Sequence, residues 1–386
     1  MSAVDPLTEE QREIQRVARE YAMREIAPHS ARWDRDAYFE PALVRQLGEL
    51  GFLGMMIPEQ YDGLGLDTLT YLVALEEIAT VDASVAVIVS VHNSLPTQMI
   101  LKWGSEKQKQ CFLKPMARGE MLGAFALSEP EAGSDAASLR TQAVRDGDGW
   151  ILNGTKAWVS SGTKGDVILA MARTDSPEDR RGARGISAFI VTPDLPGFSV
   201  GKKEDKMGLR ASPTVQLHFS DMRVPGDRLL GQVGSGFIYA MQSLDNGRLG
   251  IAAQAVGIAE AALRAAAAYA AERRQFGKPL KEFQAIQFKL ADMATRVSSS
   301  RALLHAAATA KDRGERITQF SSMAKLQASE TAMWATTQAI QIFGGYGYIS
   351  EYPVERLFRD AKVTELYEGT SEIQRIVIAR ELYSRT

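Results

Sequence analysis

The chain has a single cysteine, Cys111, in 386 residues. One thiol excludes an intramolecular disulfide and fits a reducing compartment. Histidine is also scarce. His29, His92, His218 and His305 are scattered, and with one cysteine they make no metal-ligand spacing, so no metal site is expected. Neither sign of charge dominates: 45 Lys and Arg face 47 Asp and Glu, for a net charge of −2. No electrostatic footprint for nucleic acid follows, and no basic patch for a membrane surface. Long apolar runs are missing too. The longest, near Ala83 to Val91, is far shorter than a bilayer span, so no membrane insertion is expected. Met1 to Arg12 is polar and acidic, unlike a secretory signal or transit peptide. These features predict a cytoplasmic chain; the mature form of a mitochondrial matrix protein would read the same way.

What is present is ordinary globular material, 45% hydrophobic and 24% charged. The length exceeds the usual single core and predicts two or three domains. The texture changes twice. Residues 1–120 read as helical: Leu43, Leu47, Leu50 and Leu53 recur at spacings that share a helix face, Pro58 and Gly63-Leu64-Gly65 interrupt, and Leu69 to Ile78 and Ser84 to Leu101 resume. Residues 121–232 read as strands. The Asp146-Gly147-Asp148-Gly149 turn before Trp150 to Asn153 is a hairpin signal, and Val167 to Ala172, Ile186 to Val191 and Val215 to Phe219 are further strands. A small antiparallel barrel or sandwich is expected there. Residues 233–386 return to helix, with long alanine-rich stretches at Ile251 to Arg273, Ala285 to Lys311 and Ile317 to Phe343 that predict an antiparallel helical bundle. The fold class is therefore mainly α with a middle β domain.

The most informative stretch is Tyr367-Glu368-Gly369-Thr370-Ser371-Glu372-Ile373-Gln374-Arg375. Gly369 permits unusual φ/ψ and close backbone approach to a ligand. Thr370 and Ser371 can cap the following helix. Glu368 then stands at the mouth of a helix beside free backbone N–H groups, a good place for a general base acting next to a carbonyl. Taken alone, the segment reads equally as a loop glutamate before an ordinary N-cap.

Three other groups could carry chemistry. Phe125-Ala126-Leu127-Ser128 to Ser134-Asp135 offers hydroxyls and free amides that suit a polar ring or a phosphate-bearing ligand, or else forms a surface linker. Trp158-Val159-Ser160 ends a strand, with an aromatic wall and a hydroxyl on one face, or else belongs to the core. Arg248, after Asp245-Asn246-Gly247, could hold an anion, orient Glu368 or make an exposed salt bridge. Weaker still, Arg273 could pair with pyrophosphate and Phe276 could pack on an adenosine.

Glu368 to Gln374 resembles the catalytic segment of the acyl-CoA dehydrogenases, a family of flavoenzymes, and the likeness extends in order along nearly the whole chain. The resemblance implies an N-terminal helical domain, a β domain and a C-terminal four-helix bundle. It implies FAD as cofactor. Phe125, Ala126, Leu127 and Ser128 would line the flavin, Trp158 would stack on it, and Val159 and Ser160 would lie at the nitrogen that takes the hydride. Ser128 and Ser160 stand where threonine is commoner, with the hydroxyl kept. Ser134, Asp245, Arg248 and Gly369 would meet the acyl-CoA, with Ser134 close to the flavin as well. Arg273, Phe276, Phe283, Gln284, Gln341, Gly344 and Gly345 would bind the FAD of a neighbouring subunit in a homotetramer, a dimer of dimers; Thr370 and Glu372 also belong to the cofactor set. Some members, such as isovaleryl-CoA dehydrogenases, carry the base beside the arginine instead; Gly247 cannot serve, which leaves Glu368.

The implied reaction is FAD-dependent α,β-dehydrogenation of an acyl-CoA to the trans-2-enoyl-CoA. Glu368 takes the α-proton, and the electrons pass to an electron-transfer flavoprotein. A water-excluding pocket should raise the Glu368 pKa toward working pH. Val91-His92-Asn93-Ser94-Leu95 and Gly247-Arg248-Leu249-Gly250 look most like short-chain, butyryl-CoA members. A branched short-chain dehydrogenase, a flavin oxidase on the same fold and a non-catalytic acyl-CoA-binding scaffold are the alternatives.

Overall fold

A computed structural model describes residues 7–175 and 182–384; the first six residues of the polar N-terminal stretch lie outside it. The chain begins with helices α1 (Glu9–Tyr21), α2 (Ala27–Asp36), α3 (Pro41–Glu49), α4 (Thr68–Val81), α5 (Ala83–Ser94) and α6 (Pro96–Trp103), then two short turns, α7 (Glu106–Gln108) and α8 (Lys114–Ala117). Their starts are written locally. Thr8 and Gln11 form a reciprocal capping box on α1. The Asp67 carboxylate accepts from Thr70 N at 2.7 Å, and Asp82 accepts from Ser84 N and Val85 N at 2.7 and 3.0 Å.

Leu43, Leu47 and Leu53 are buried together, but Leu50 is exposed. The expected face breaks there because α3 stops at Glu49. Gly51 takes φ +78°, and Phe52 N bonds back to Leu47 O at 2.8 Å, so the chain turns away before a further helical turn can form.

The apolar run near Ala83 lies in α5, all of whose residues are buried. It continues helically further than the run itself suggests. Ala83–Trp103 and Gly236–Glu272 are long and apolar enough to cross a membrane by length and composition, but 89% and 61% of their most apolar windows are buried inside the protein. The apolar surface of these helices is largely consumed by packing against other helices.

The middle region holds strands β1 (Gly123–Ala126), β2 (Gln142–Asp146), β3 (Gly149–Ser160), β4 (Val167–Arg173), β5 (Ile186–Val191), β6 (Phe198–Lys203), β7 (Thr214–Val224) and β8 (Leu229–Leu230). The expected hairpin is present: Asp146 pairs with Gly149, and Gly147 has φ +59°. Of the expected barrel or sandwich, no closed barrel forms among the described residues. The sheet is open, in the order β6-β7-β3-β2-β4-β5-β8, and β1 pairs with β4 in parallel. Asp166 accounts for that parallel pair. Its carboxylate accepts from Leu122 N at 2.8 Å while its own N–H bonds to Leu122 O, stapling the starts of β1 and β4 together.

Strands β4 and β5 are buried on both faces. One face closes on Trp150, Phe189 and Phe219 inside the β region. The other, through Leu169, Met171 and Ile190, packs on Met99, Leu113 and Tyr239 of the helical parts. This double burial fixes the β region against the helices.

The chain then forms α9 (Gly236–Glu272), α10 (Gln284–Asp312), α11 (Thr318–Phe343), α12 (Val354–Thr364) and α13 (Ser371–Tyr383). Alanines 252, 255, 259, 262, 266 and 270 are fully buried on α9 and let its neighbours approach closely. The longest helices, α9, α10 and α11, lie side by side, with α12 packed on α9 and α11 and α13 laid on α11.

Candidate active site

Between α12 and α13 the chain makes a tight turn through Glu368 and Gly369, with φ +52° and +91°. A left-handed glutamate is strained by roughly 1–2 kcal/mol and persists only where its surroundings hold it. Here they do. Gln374 Nε2 donates to Glu368 O at 3.2 Å and to Gly369 O at 2.8 Å. Lys325 Nζ donates to Gly369 O at 2.8 Å. Thr370 caps α13, its hydroxyl accepting from Ile373 N at 3.3 Å.

This turn points the Glu368 side chain inward. The residue as a whole is half-buried, yet both carboxylate oxygens are shut off from solvent and have no hydrogen-bond partner. Burial pushes the carboxyl up to about 7, against the pull of Lys325 and Arg248. Among the described residues the Glu368 N–H donates to no protein acceptor. An unpartnered carboxylate and a free amide therefore stand on one residue.

Helix α9 faces this carboxylate with its smallest residues. A Cβ at Gly247 would lie 1.8 Å from Glu368 Oε2, and one at Gly250 would lie 2.2 Å from Ser90 Oγ and 3.2 Å from the Tyr71 hydroxyl. One and two turns on, Gln254 is fully buried, donates to Ala83 O at 2.7 Å and accepts from the Tyr367 hydroxyl. Gly247, Gly250 and Gln254 thus form one helical stripe lining the space at Glu368.

Arg248 is buried rather than on an exposed surface. Its Nη1 donates to Asp245 Oδ1 at 2.6 Å and to Ser322 Oγ at 3.3 Å, and Asp245 also accepts from Thr318 at 2.8 Å. The pair ties α9 to α11 beside Glu368.

The second group lies in the β region. Ala157 N donates to Ser128 O at 2.9 Å, which sets Phe125 to Ser128 beside Ala157 to Ser160. Beneath them is a buried ion pair. Lys156 Nζ donates to Glu129 Oε1 at 2.7 Å and to Leu127 O at 3.2 Å, and Glu129 also accepts from Arg140 N and Thr141 N. Burial pushes the Lys156 ammonium down to about 8 even beside Glu129. A bulge between Lys156 and Val159 gives Trp158 a φ of +60° and leaves its ring 63% exposed. Ala126 and Val159 are fully buried in the core of the β region. Ser134 is exposed.

The third group lies at the far ends of α9–α11. Arg273, Gly344 and Gly345 line a groove of ≈ 450 Å³ with Tyr269, Phe343 and Tyr346. Phe276 and Gly277 have φ +51° and +82°, the signs of a type I′ turn, and the Phe276 ring is 93% exposed. Phe283 packs edge-on to it at 6.2 Å, while Gln284 and Gln341 are exposed at helix ends and Glu372 is exposed on α13.

Sequence reasoning missed Lys325, Lys156, Tyr71, Ser90 and Gln254. A signal existed for Lys325. Ser321, Lys325, Ala328 and Ala332 share one helical stripe of α11, and all four are fully buried. A lysine on a stripe of small residues is out of place unless it has a partner.

Comparison with known proteins places this geometry. Residues 8–120, 124–222 and 234–383 match the family models for the N-terminal, middle and C-terminal domains of acyl-CoA dehydrogenases. The mouse short-chain specific acyl-CoA dehydrogenase, a mitochondrial protein, is 50% identical over 97% of this chain and 90% of its own length. The structure of butyryl-CoA dehydrogenase from Megasphaera elsdenii superposes with a TM-score of 0.96 at 44% identity, covering 99% of this chain and 100% of that one. A chain in the solved structure of the electron transferring flavoprotein of Acidaminococcus fermentans does so with a TM-score of 0.96 at 46% identity, covering 99% of each. Three consecutive family models along one chain, and half its residues shared with a full-length relative, leave a single assignment: the chain belongs to the acyl-CoA dehydrogenase family.

Proposed function

We propose that this protein dehydrogenates short acyl-CoA thioesters to trans-2-enoyl-CoAs, with Glu368 as base and FAD as cofactor, and passes electrons to an electron-transfer flavoprotein. The observation that carries this reading is the buried Glu368 carboxylate, unpartnered and held near neutrality opposite a glycine. A base with a pKa near working pH removes a weakly acidic proton most efficiently. The free Glu368 N–H suits the thioester oxygen, where negative charge grows as the α-proton leaves. Burial strengthens that interaction by excluding water.

The residues fit FAD. Trp158 offers an exposed, strained aromatic face beside the hydroxyls of Ser128 and Ser160, and Arg273 offers a cation in an apolar groove. When bound, FAD supplies the acceptor for the β-hydrogen. The Arg273 groove lies at the C-terminal end of α9, away from Glu368. From Gly247, opposite the base, to Arg273 is 26 positions of helix and cap, about 39 Å at about 1.5 Å each. A separation of that size supports a groove that serves the cofactor of a second copy, as in a homotetramer. The nearly bare Phe276 ring beside it is consistent with a surface another copy covers.

A short acyl chain is supported by the closed end of the α9 stripe. An extended tail would have to displace Gln254 from its bonds to Tyr367 and Ala83. Relatives bear the same reading, since two of those named above are a short-chain and a butyryl-CoA dehydrogenase. A reducing compartment, cytoplasm or matrix, suits the single exposed Cys111.

The test is a chain-length series of acyl-CoAs with an artificial acceptor. The best kcat/KM is expected at butyryl- or hexanoyl-CoA, with no hydrogen peroxide released. An optimum at palmitoyl-CoA would sink the short-chain reading, an isobutyryl-CoA preference would favour a branched substrate, and stoichiometric peroxide would make it an oxidase.

Arg273→Ala tests the shared site. Loss of a charge-assisted bond, worth about 1.5–3 kcal/mol, should lower FAD occupancy and loosen the oligomer together. Light scattering and flavin absorbance read both. A wild-type monomer fully loaded with FAD would rule the shared site out.

A further inference from the structure

Lys325 is fully buried on α11, and among the described residues its ammonium makes one hydrogen bond, to Gly369 O at 2.8 Å. Burying a lysine is costly unless a charge nearby compensates it. The backbone bond does not explain its presence. Gln374 already donates to Gly369 O at 2.8 Å and to Glu368 O at 3.2 Å, so the turn is anchored without a cation. Nor is the charge consumed elsewhere. The other buried cation at the site, Arg248, is paired with Asp245, whereas no carboxylate forms an ion pair with Lys325 among the described residues. Across the turn lies a carboxylate with no partner at all, Glu368.

We propose that Lys325 is a positioning residue for the reaction, holding the Glu368 carboxylate in its anionic, proton-accepting form from behind the turn. This rests on Glu368 being the base. Direct contact would quench a base by giving its lone pairs to a donor. A cation bonded instead to the next carbonyl lends its field and leaves both oxygens free.

The charged and titratable groups around Glu368 come from four directions: Arg248 with Asp245 on α9, Tyr71 on α4, Lys325 on α11 and Tyr367 on the turn itself. Glu365 and Glu372 act on Lys325 from farther out. Burial raises the Glu368 pKa, while Lys325 and Arg248 lower it. Removing Lys325 must therefore raise it further. A base works only when deprotonated, so the acid limb of kcat/KM must move to higher pH.

Two variants of the FAD-loaded enzyme separate charge from anchoring. Lys325→Gln retains a donor for Gly369 O, and Lys325→Met retains only bulk. Both should shift the acid limb upward by about one pH unit or more, with activity lost about 10-fold at pH 6 and largely regained at pH 9. A lysine needed only for packing would lower activity equally at every pH, and an unshifted limb in Lys325→Gln overturns the proposal. A readout without turnover completes the test. In a double-mutant cycle on thermal unfolding at pH 8, Lys325→Met should lower Tm more beside Glu368 than in Glu368→Gln, where no anion remains to be stranded. Additive Tm changes overturn it. Full turnover by Glu368→Gln would instead overturn the assignment of the base, so the two failures are distinguishable.

Discussion

Glu368→Gln should leave the protein folded, with its assembly and flavin content unchanged, while removing about 10²–10⁴-fold of turnover, the usual worth of a positioned general base. The amide keeps the size of the carboxylate but cannot accept the proton. Opposite Glu368, α9 presents Gly247, which carries no side chain to take over, and the neighbouring Asp245 is held by Arg248 and Thr318. Wild-type kcat/KM should rise with pH through about 7, and the variant should lack that limb. Stability should change in the opposite sense. Burial pushes the folded carboxyl up from the usual glutamate range to about 7. Its favourable contribution is therefore present below the unfolded pKa and lost as pH rises through the folded one. At pH 8 the wild type carries a buried anion that the variant lacks, so Glu368→Gln should unfold at an equal or higher temperature. Steady-state kinetics and thermal unfolding read both effects. A variant keeping more than about a tenth of wild-type activity would move the base elsewhere.

Gly247→Ala should reduce kcat by roughly 10²-fold, the scale of a 1 Å misplacement of a reacting group. The new Cβ would fall 1.8 Å from Glu368 Oε2 and 2.7 Å from its Cδ, so the carboxylate must swing away from its place. Yet the substitution suits the helix, because alanine is favoured over glycine in a helix interior by about 1 kcal/mol. The signature is a poor enzyme with unchanged or improved thermal stability and normal FAD content. A kcat within about twofold of wild type would show that Glu368 has room to yield without consequence.

How much of this was legible beforehand depended on distance along the chain. The Glu368 turn could be read because its determinants are adjacent: Gly369 supplies a permissive backbone and Thr370 a cap. The β2–β3 hairpin was readable for the same reason, from Gly147. Non-local pairings were not. The parallel β1–β4 pair is set by Asp166 reaching Leu122 across many intervening residues, and nothing in either strand's alternation encodes it. Trp158 and Ser160 could be placed on one side of β3, but the bulge that strains Trp158 leaves no trace in hydrophobic period. Leu50 misled because spacing was followed past Gly51, a helix stop. Lys325 and Gln254 are brought to Glu368 only by the packing of α11 and α9.

The length of α9 has a consequence for inheritance. On the shared-site reading each copy of the chain carries a base against the first half of that helix and a dinucleotide groove at its C-terminal end, and the two belong to different catalytic centres. Consider one allele damaged at Glu368 and another damaged at Arg273. Paired copies of the first alone, or of the second alone, have no sound centre. A mixed pair has one centre with both defects and one with neither. Two inactive alleles would then complement one another within a single oligomer, and lesions at opposite ends of one rod would be rescued by mixing rather than compounded.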